Sequence, residues 1–297
     1  MLALKNYFIL IALCISLCVF DVCKIYAGVK EDLKVPVKIE TLKTNRAAMK
    51  FFRFGSGNKK FIIIPGMSAK SLMGAADVIA AQYKIFARDY EIFVFDIRDE
   101  LPEKYNIQDL AGDLIEALDT LEIKQADFLG VSMGGMIAQC IVLKRPDLIH
   151  KLVIGSSASR VKMEAAKFFE DQIKFARDKN IKGLINHFID HVYSPDFIKN
   201  YRDVVVNAYS DLNDKELEKF ITIAEAVKNF DIYDSLHALK IPVLVIGADK
   251  DEIFGADSSR EISEKTGGKL YIYQDQYHAA YDEAKDYQER VLNFFSE

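Results

Sequence analysis

The sequence predicts an α/β protein: a mostly parallel, twisted sheet of about eight strands, helices on both faces, and a helical cap inserted after the sixth strand. Three observations carry this expectation. Short runs rich in β-branched and aromatic residues alternate with longer segments of helical period. The alternation stops between about residues 160 and 236, where only helical patterns occur. It resumes at "IPVLVIGAD" and continues to the C-terminus. Strands separated by helices of this length imply parallel pairing. The return of the pattern favours an insertion over a separate helical domain.

In chain order, "VPVKIETL" and "AAMKFFRF" read as two strands, and Gly55-Ser56-Gly57 as the turn that follows. "KKFIIIPG" is a buried strand broken by Pro-Gly, and "GAADVIAAQYKIFARD" has helical spacing. "YEIFVFDIR" is a strand. "IQDLAGDLIEALDTL" places apolar residues at 107, 110, 114, 115, 118 and 121, one face of a helix. "QADFLG" is a strand and "GMIAQCIVLKRP" a helix closed by Pro146; "HKLVIGSS" is the sixth strand. The helical stretch contains "EAAKFFEDQIKFARD", "IKGLINHFIDHV" and "ELEKFITIAEAVKNF". After the strand "IPVLVIGAD" come a helix near 257–265, the strand "GKLYIYQD" and a last helix near 283–296. The expected division is a leader over 1–27, a first core part over 28–159, the cap over 160–236 and a second core part over 237–297.

The N-terminus reads as a secretory signal. Lys5 precedes an apolar run of 14 residues, Tyr7 to Phe20, ended by Asp21. A membrane span needs about 20, so a cleaved leader with Ile25-Tyr26-Ala27 as its cut site is expected. The protein is then exported, to a periplasm or beyond the cell. The alternative is an uncleaved anchor. A cut near Ala27 removes Cys14, Cys18 and Cys23, leaving Cys140 with no disulfide partner. Cys140 sits in an apolar helix pattern, as a small buried hydrophobe.

Composition narrows the function. The chain of 297 residues is 50% hydrophobic and carries a net charge of −5, enough for a substantial core. An acidic balance without a basic block argues against a nucleic-acid surface. The expected partner is a small-molecule substrate; no nucleic acid is expected, nor a stable membrane span once the leader is gone. Oligomeric state stays open.

The chemistry centres on "ADFLGVSMGGMIAQ". Gly130-x-Ser132-x-Gly134 alone arises by chance on the order of once in ten chains of this length. Its setting strengthens it, because the serine stands where a buried strand becomes a helix, the context a nucleophile elbow requires. A serine on so sharp a turn needs an unusual backbone conformation, and glycines two positions either side avoid collision with strand and helix. The hydroxyl also needs a base. Of five histidines, only His278, in a loop after the last strand, is placed by topology at the carboxyl edge of the sheet. His150, His187, His191 and His237 lie elsewhere. The base needs an acid to orient it, and "VLVIGADKDEIFG" offers Asp249 and Asp251 beyond the seventh strand; either could instead be a helix cap or turn residue. Serine, aspartate, histidine is the chain order this architecture uses.

At these residues the sequence resembles the α/β-hydrolase superfamily, from about residue 45 to the C-terminus. The resemblance rests on "FIIIPGMS", "YEIFVFD", "ADFLGVSMGGMIAQCIVLKRPDLIHKLVIGSS", "IPVLVIGADKDEIF" and "YHAAYDEAKDYQERVLNFF". It implies Ser132 as nucleophile, His278 as general base and an acid after strand seven. The family's acid is usually followed by an apolar pair and a proline; "DEIFG" fits that frame with Asp251 as the acid and Gly255 in place of the proline. The resemblance further implies an oxyanion hole from the backbone amides of Met133 and Met67. Many relatives carry His-Gly where this chain has Pro65-Gly66.

Two further features have modest readings. His187 and His191 are four apart on a helix with Asp190 beside the second, a spacing that can bind metal. No third ligand is evident, so a solvated cap face is expected and no metal or organic cofactor is implied. Phe168, Phe169, Phe175, Phe188, Tyr193 and Phe197 could wall an apolar pocket, though most should pack the cap on the core. The expected activity is serine hydrolysis through an acyl-enzyme, with a small apolar carboxylic ester as substrate. The same three side chains could serve a carbon–carbon bond hydrolase, an aminopeptidase or a cofactor-free perhydrolase. The rival class is a binding protein that keeps the shell and turns over slowly or not at all.

Overall fold

The computed structural model describes residues 35–297. The expected leader, 1–27, and its three cysteines lie outside the described residues. Eight strands form one sheet: β1 (Lys38–Lys43), β2 (Ala48–Phe54), β3 (Lys59–Ile64), β4 (Tyr90–Phe95), β5 (Ala126–Val131), β6 (Ile149–Gly155), β7 (Val243–Ala248) and β8 (Lys269–Tyr273). The spatial order is β1-β2-β4-β3-β5-β6-β7-β8. β2 pairs antiparallel with both its neighbours, and every other pair is parallel. This is the mostly parallel eight-stranded sheet the sequence predicts. All six residues of β5 and all six of β7 are buried. Central strands covered on both faces need continuous apolar runs, hence no alternation in these segments. The antiparallel edge strand β1 does show mixed exposure, with Lys38, Ile39, Thr41 and Lys43 exposed and Glu40 and Leu42 half-buried.

The sheet order sets where chemistry can occur. From β3 the chain crosses to β4 on one side; from β5 it crosses to β6 on the other. The carboxyl ends of β3 and β5 therefore border a crevice at a point where the winding reverses, the usual ligand site of an open α/β sheet. The segment after β3 begins Pro65-Gly66-Met67, and the residue after β5 is Ser132.

Helices α1 (Ala76–Gln82), α2 (Ile107–Thr120) and α3 (Met133–Lys144) follow β3, β4 and β5 in turn. α2 starts sharply because Asn106 accepts from the Asp109 amide while the Asp109 carboxylate accepts from the Asn106 amide. Between β6 and β7 stand four helices, α4 (Met163–Arg177), α5 (Ile181–Val192), α6 (Pro195–Ala208) and α7 (Asp214–Lys228). The chain enters and leaves this segment at one point. Val161 N donates to Phe230 O at 2.9 Å, Ile232 N donates to Ser159 O at 2.8 Å, and Arg160 pairs with Asp231 in an antiparallel bridge. α8 (Gly255–Thr266) separates β7 and β8, and α9 (Ala280–Glu283) and α10 (Tyr287–Ser296) complete the chain. Among the described residues, no helix is long and apolar enough to cross a membrane.

Two elements differ from the sequence reading, and in both a buried aromatic side chain is the reason. The single helix expected over 74–89 is three pieces: a 3₁₀ turn at Leu72–Ala75, α1, and a second 3₁₀ turn at Lys84–Phe86. Tyr83 and Phe86 are fully buried against Phe61. Tightening to 3₁₀ brings residues three apart into line, which lets both rings reach that cluster. The last helix expected over 283–296 is likewise split, because Ala284 is extended and the chain restarts so that Tyr287 enters the core. Cys140 is buried, as expected, and burial pushes its thiol up to about 12.

The loop after β4 is fastened by one carboxylate. Buried Asp113 accepts from Arg46 Nε at 2.9 Å, from Arg98 Nη1 at 3.4 Å and from the Tyr105 hydroxyl. Removing it would leave these donors around an apolar gap. Asp113→Ala is expected to cost about 3 kcal/mol, read as a lowered urea midpoint, with Asp113→Asn losing less.

Candidate active site

Ser132 joins β5 to α3 with φ 53° and ψ −122°, a region L-residues rarely adopt. Its amide donates to Gly155 O at 2.8 Å; its carbonyl accepts from Gly135 N at 3.0 Å and Ser157 Oγ at 2.7 Å. These bonds hold the turn in its strained form. The flanking glycines are required by contact. A Cβ on Gly134 would lie 1.9 Å from Ile64 O, and one on Gly130 would lie 2.4 Å from Gly134 O. A Cβ on Gly135 would lie 2.6 Å from the Ser157 side chain. Helix α3 thus starts in direct backbone contact with the end of β3. Met133 is its first residue, and first-turn amides have no intrahelical acceptor.

The loop after β8 brings His278 to the serine. His278 Nε2 lies 3.0 Å from Ser132 Oγ, and His278 Nδ1 lies 3.0 Å from each carboxylate oxygen of Asp251. Asp251 Oδ1 also accepts from the amides of Ile253 at 2.8 Å and Phe254 at 3.1 Å. Burial alone would push this carboxyl up, but the adjoining imidazole and the two amides outweigh it and hold Asp251 below the usual carboxylate range. An ionised Asp251 keeps the proton on Nδ1, which leaves Nε2 as acceptor for the serine hydroxyl. Asp249 points elsewhere. Its carboxylate accepts from Gln276 N at 3.3 Å and its amide donates to Tyr273 O at 3.0 Å, steadying the loop that carries His278. Of the two aspartates the sequence offers, the structure brings Asp251 to the imidazole.

With this geometry in place, comparison with known proteins identifies the architecture. The family model for the alpha/beta hydrolase fold matches residues 60–285.

The chain belongs to the α/β-hydrolase fold family.

A 3-oxoadipate enol-lactonase of Acinetobacter baylyi is 25% identical over 219 residues, covering 72% of this chain and 80% of that protein. Among solved structures, an α/β-hydrolase enzyme from a Medee basin deep-sea metagenome superimposes with a TM-score of 0.77 at 20% identity, covering 87% of this chain and 98% of the other. The enol-lactonase of Burkholderia xenovorans gives a TM-score of 0.76 at 20% identity, covering 87% and 100%. At these identities the structural likeness is one of fold.

In this α/β hydrolase the space in front of Ser132 is a chamber of about 20 Å³, room for little more than one water molecule. Gly66, Met67 and Met133 border it on one side, and His278 on another. The remaining walls are apolar: Phe168, Phe169, Phe188, Val192, Val227, Ile253 and Tyr281. Of the six aromatic residues marked in the sequence, Phe168, Phe169 and Phe188 face the chamber. The others pack away from it, with Tyr193 stacked on Phe197 at 3.9 Å and Phe175 against His187. Four wall residues were not legible in the sequence. Val192 and Val227 come from separate segments with no local mark, and Ile253 was marked only as part of the apolar pair after Asp251. Tyr281 had one available signal, its position three residues after His278; its ring stands edge-on to the imidazole at 6.1 Å.

The helix bearing His187 and His191 is not the solvated face expected. The His187 ring stacks on Phe168 at 5.2 Å, and its Nδ1 lies 2.9 Å from Nε2 of buried Gln172. Burial and the neighbouring His191 hold His187 below the usual imidazole range. His191 Nδ1 lies 2.8 Å from His187 O, and Asp190 pairs with Arg202. Amphipathic spacing shows that a helix has two faces, but not which of them meets a neighbour. Among the described residues, no three His, Cys, Asp or Glu side chains converge as a metal site.

The glycine contacts give a direct test. Gly134→Ala is expected to destabilise by about 3 kcal/mol, read from the denaturation midpoint. Gly112→Ala is the control: its nearest neighbour is the flexible Arg46 side chain at 3.4 Å. There the better helix propensity should leave stability unchanged or raise it by up to about 1 kcal/mol.

Proposed function

We propose that this α/β hydrolase is a serine hydrolase that cleaves carboxylic esters with apolar parts through an acyl-enzyme. The observation that carries the reading is the chain of contacts from Asp251 through His278 to Ser132, each 3.0 Å long. Hydrogen-bond reach from nucleophile to base and from base to orienting acid is the arrangement nucleophilic catalysis needs. Family membership supports hydrolase activity. The enol-lactonase relative supports an ester as substrate, since a lactone is a cyclic ester.

In the proposed cycle, Ser132 Oγ attacks the substrate carbonyl as its proton passes to His278 Nε2. Asp251, ionised, holds Nδ1–H and offsets the charge of the imidazolium. The oxyanion sits before the amides of Met133 and Met67, where the start of α3 also favours negative charge. Collapse breaks the bond to the alkoxide, which takes the proton from His278 and leaves as the alcohol. Water, deprotonated by the same imidazole, then attacks the acyl-serine; its collapse returns the proton to Ser132 and releases the acid. The substrate partner is a small molecule. The helices between β6 and β7 act as a cap over residues 160–236, since α4, α5 and α7 supply the chamber walls. Export through the leader belongs to the same proposal, and N-terminal sequencing of native protein should place the first residue near Gly28.

Hydrolysis of ethyl acetate tests the chemistry. Ser132→Ala should lower kcat by at least about 10³-fold. Asp251→Asn, which permits the wrong imidazole tautomer, should lower it by about 10⁴-fold with the fold intact. A fluorophosphonate should label Ser132 in the folded protein. Absence of both label and turnover would favour the ligand-binding class.

A further inference from the structure

A second cavity, of about 480 Å³, lies beside the serine chamber, within the range of small-molecule sites. It is enclosed by the ends of β3 and β4, by α2, and by the start of α7. The two cavities share two lining residues, Gly66 and Met133. The cavities therefore meet at the loop after β3 and the first residue of α3.

Chemistry decides which half of an ester would enter. The leaving oxygen must stay beside His278, which donates its proton. His278 borders the small chamber but not the larger cavity. The alcohol half is therefore confined to the apolar chamber. The acyl half is the one that can pass the oxyanion loop and Met133.

The lining of the larger cavity indicates what that acyl group carries. Near Met133 it is apolar, with Ile64, Phe95, Leu110 and Ile137. Farther out it holds basic and acidic side chains in equal number, so it favours neither an anion nor a cation. Asp96 accepts from Ser71 Oγ and from the Ile97 amide at 2.9 Å, and Lys219 Nζ donates to Ile97 O at 3.0 Å. Burial pushes the Asp96 carboxyl up and the Lys219 ammonium down. The Asp96 acceptor and the Lys219 donor, linked through Ile97, suit a hydroxyl, which both donates and accepts.

We propose that the larger cavity is the acyl subsite, entered where Gly66 and Met133 border both cavities, and that it takes an uncharged acyl chain of several carbons ending in a hydroxyl. The proposal rests on the ester-hydrolase reading above and adds to it a substrate class.

The test compares kcat/KM for ethyl acetate, ethyl hexanoate, ethyl 6-hydroxyhexanoate and monoethyl adipate. Ethyl 6-hydroxyhexanoate should exceed ethyl acetate at least tenfold and should exceed the other two. The ratio of ethyl 6-hydroxyhexanoate to ethyl acetate should fall at least fivefold in Ile97→Trp and in Ala69→Trp, both of which line the cavity. A purely structural effect would lower both rates and leave the ratio unchanged, overturning the proposal. So would a preference for ethyl hexanoate or for the carboxylate-ended adipate. Absence of hydrolysis of all four esters would instead overturn the hydrolase reading and this inference with it.

Discussion

The site depends on the approach of α3 to the end of β3. A carbonyl of one strand and the first turn of a helix from the next lie so close that no side chain fits between them. This contact forces Ser132 into a positive φ, sets its hydroxyl at the carboxyl edge of the sheet, and aims the first amides of α3 into the same space. The strain at one residue is held by three hydrogen bonds, two at the end of β6 to Gly155 and Ser157 and one to Gly135 in the first turn of α3. The direction of the serine hydroxyl is thus a consequence of how tightly two elements meet, and a looser junction would keep the residue but lose that direction.

The imidazole is positioned by a different device. Its loop is joined to the helical segment at three consecutive positions. Ala279 N donates to Val192 O at 3.0 Å, the Tyr193 hydroxyl faces Asp282, and Glu283 accepts from both the amide and hydroxyl of Ser194. Burial raises the Glu283 carboxyl above its usual range, so this contact lies in a poorly hydrated seam. His278 therefore belongs mechanically to two bodies: the sheet through Asp251, and the helices through the residues that follow it.

Much of this was legible in the sequence, and the limits have physical causes. The strands declared themselves because central positions must be apolar throughout. Ser132 was marked by local glycines, and His278 by topology alone, since it was the one histidine beyond a strand end on the correct edge. Asp251 and Asp249 could not be separated by residue type; the "DEIFG" frame of the resemblance favoured Asp251, and two amides and an imidazole distinguish it in three dimensions. The breaks at Tyr83 and Ala284 were hidden because distant aromatic clusters, not local propensity, end those helices. The chamber walls and the setting of His187 were invisible for the same reason: they are made by segments far apart in the chain.

The helical segment leaves and rejoins the sheet through a narrow neck. Its two ends are stitched together by the strand-like pairing of Ser159–Val161 with Phe230–Ile232, and the Arg160 guanidinium lies 3.9 Å over the Tyr233 ring at the same junction. The sheet therefore meets this segment as it would a short hairpin, whatever hangs from it. A segment whose two chain ends meet at one neck can change in length and lining without altering the strands it hangs from, provided Val192, Tyr193 and Ser194 keep their bonds to the residues after His278.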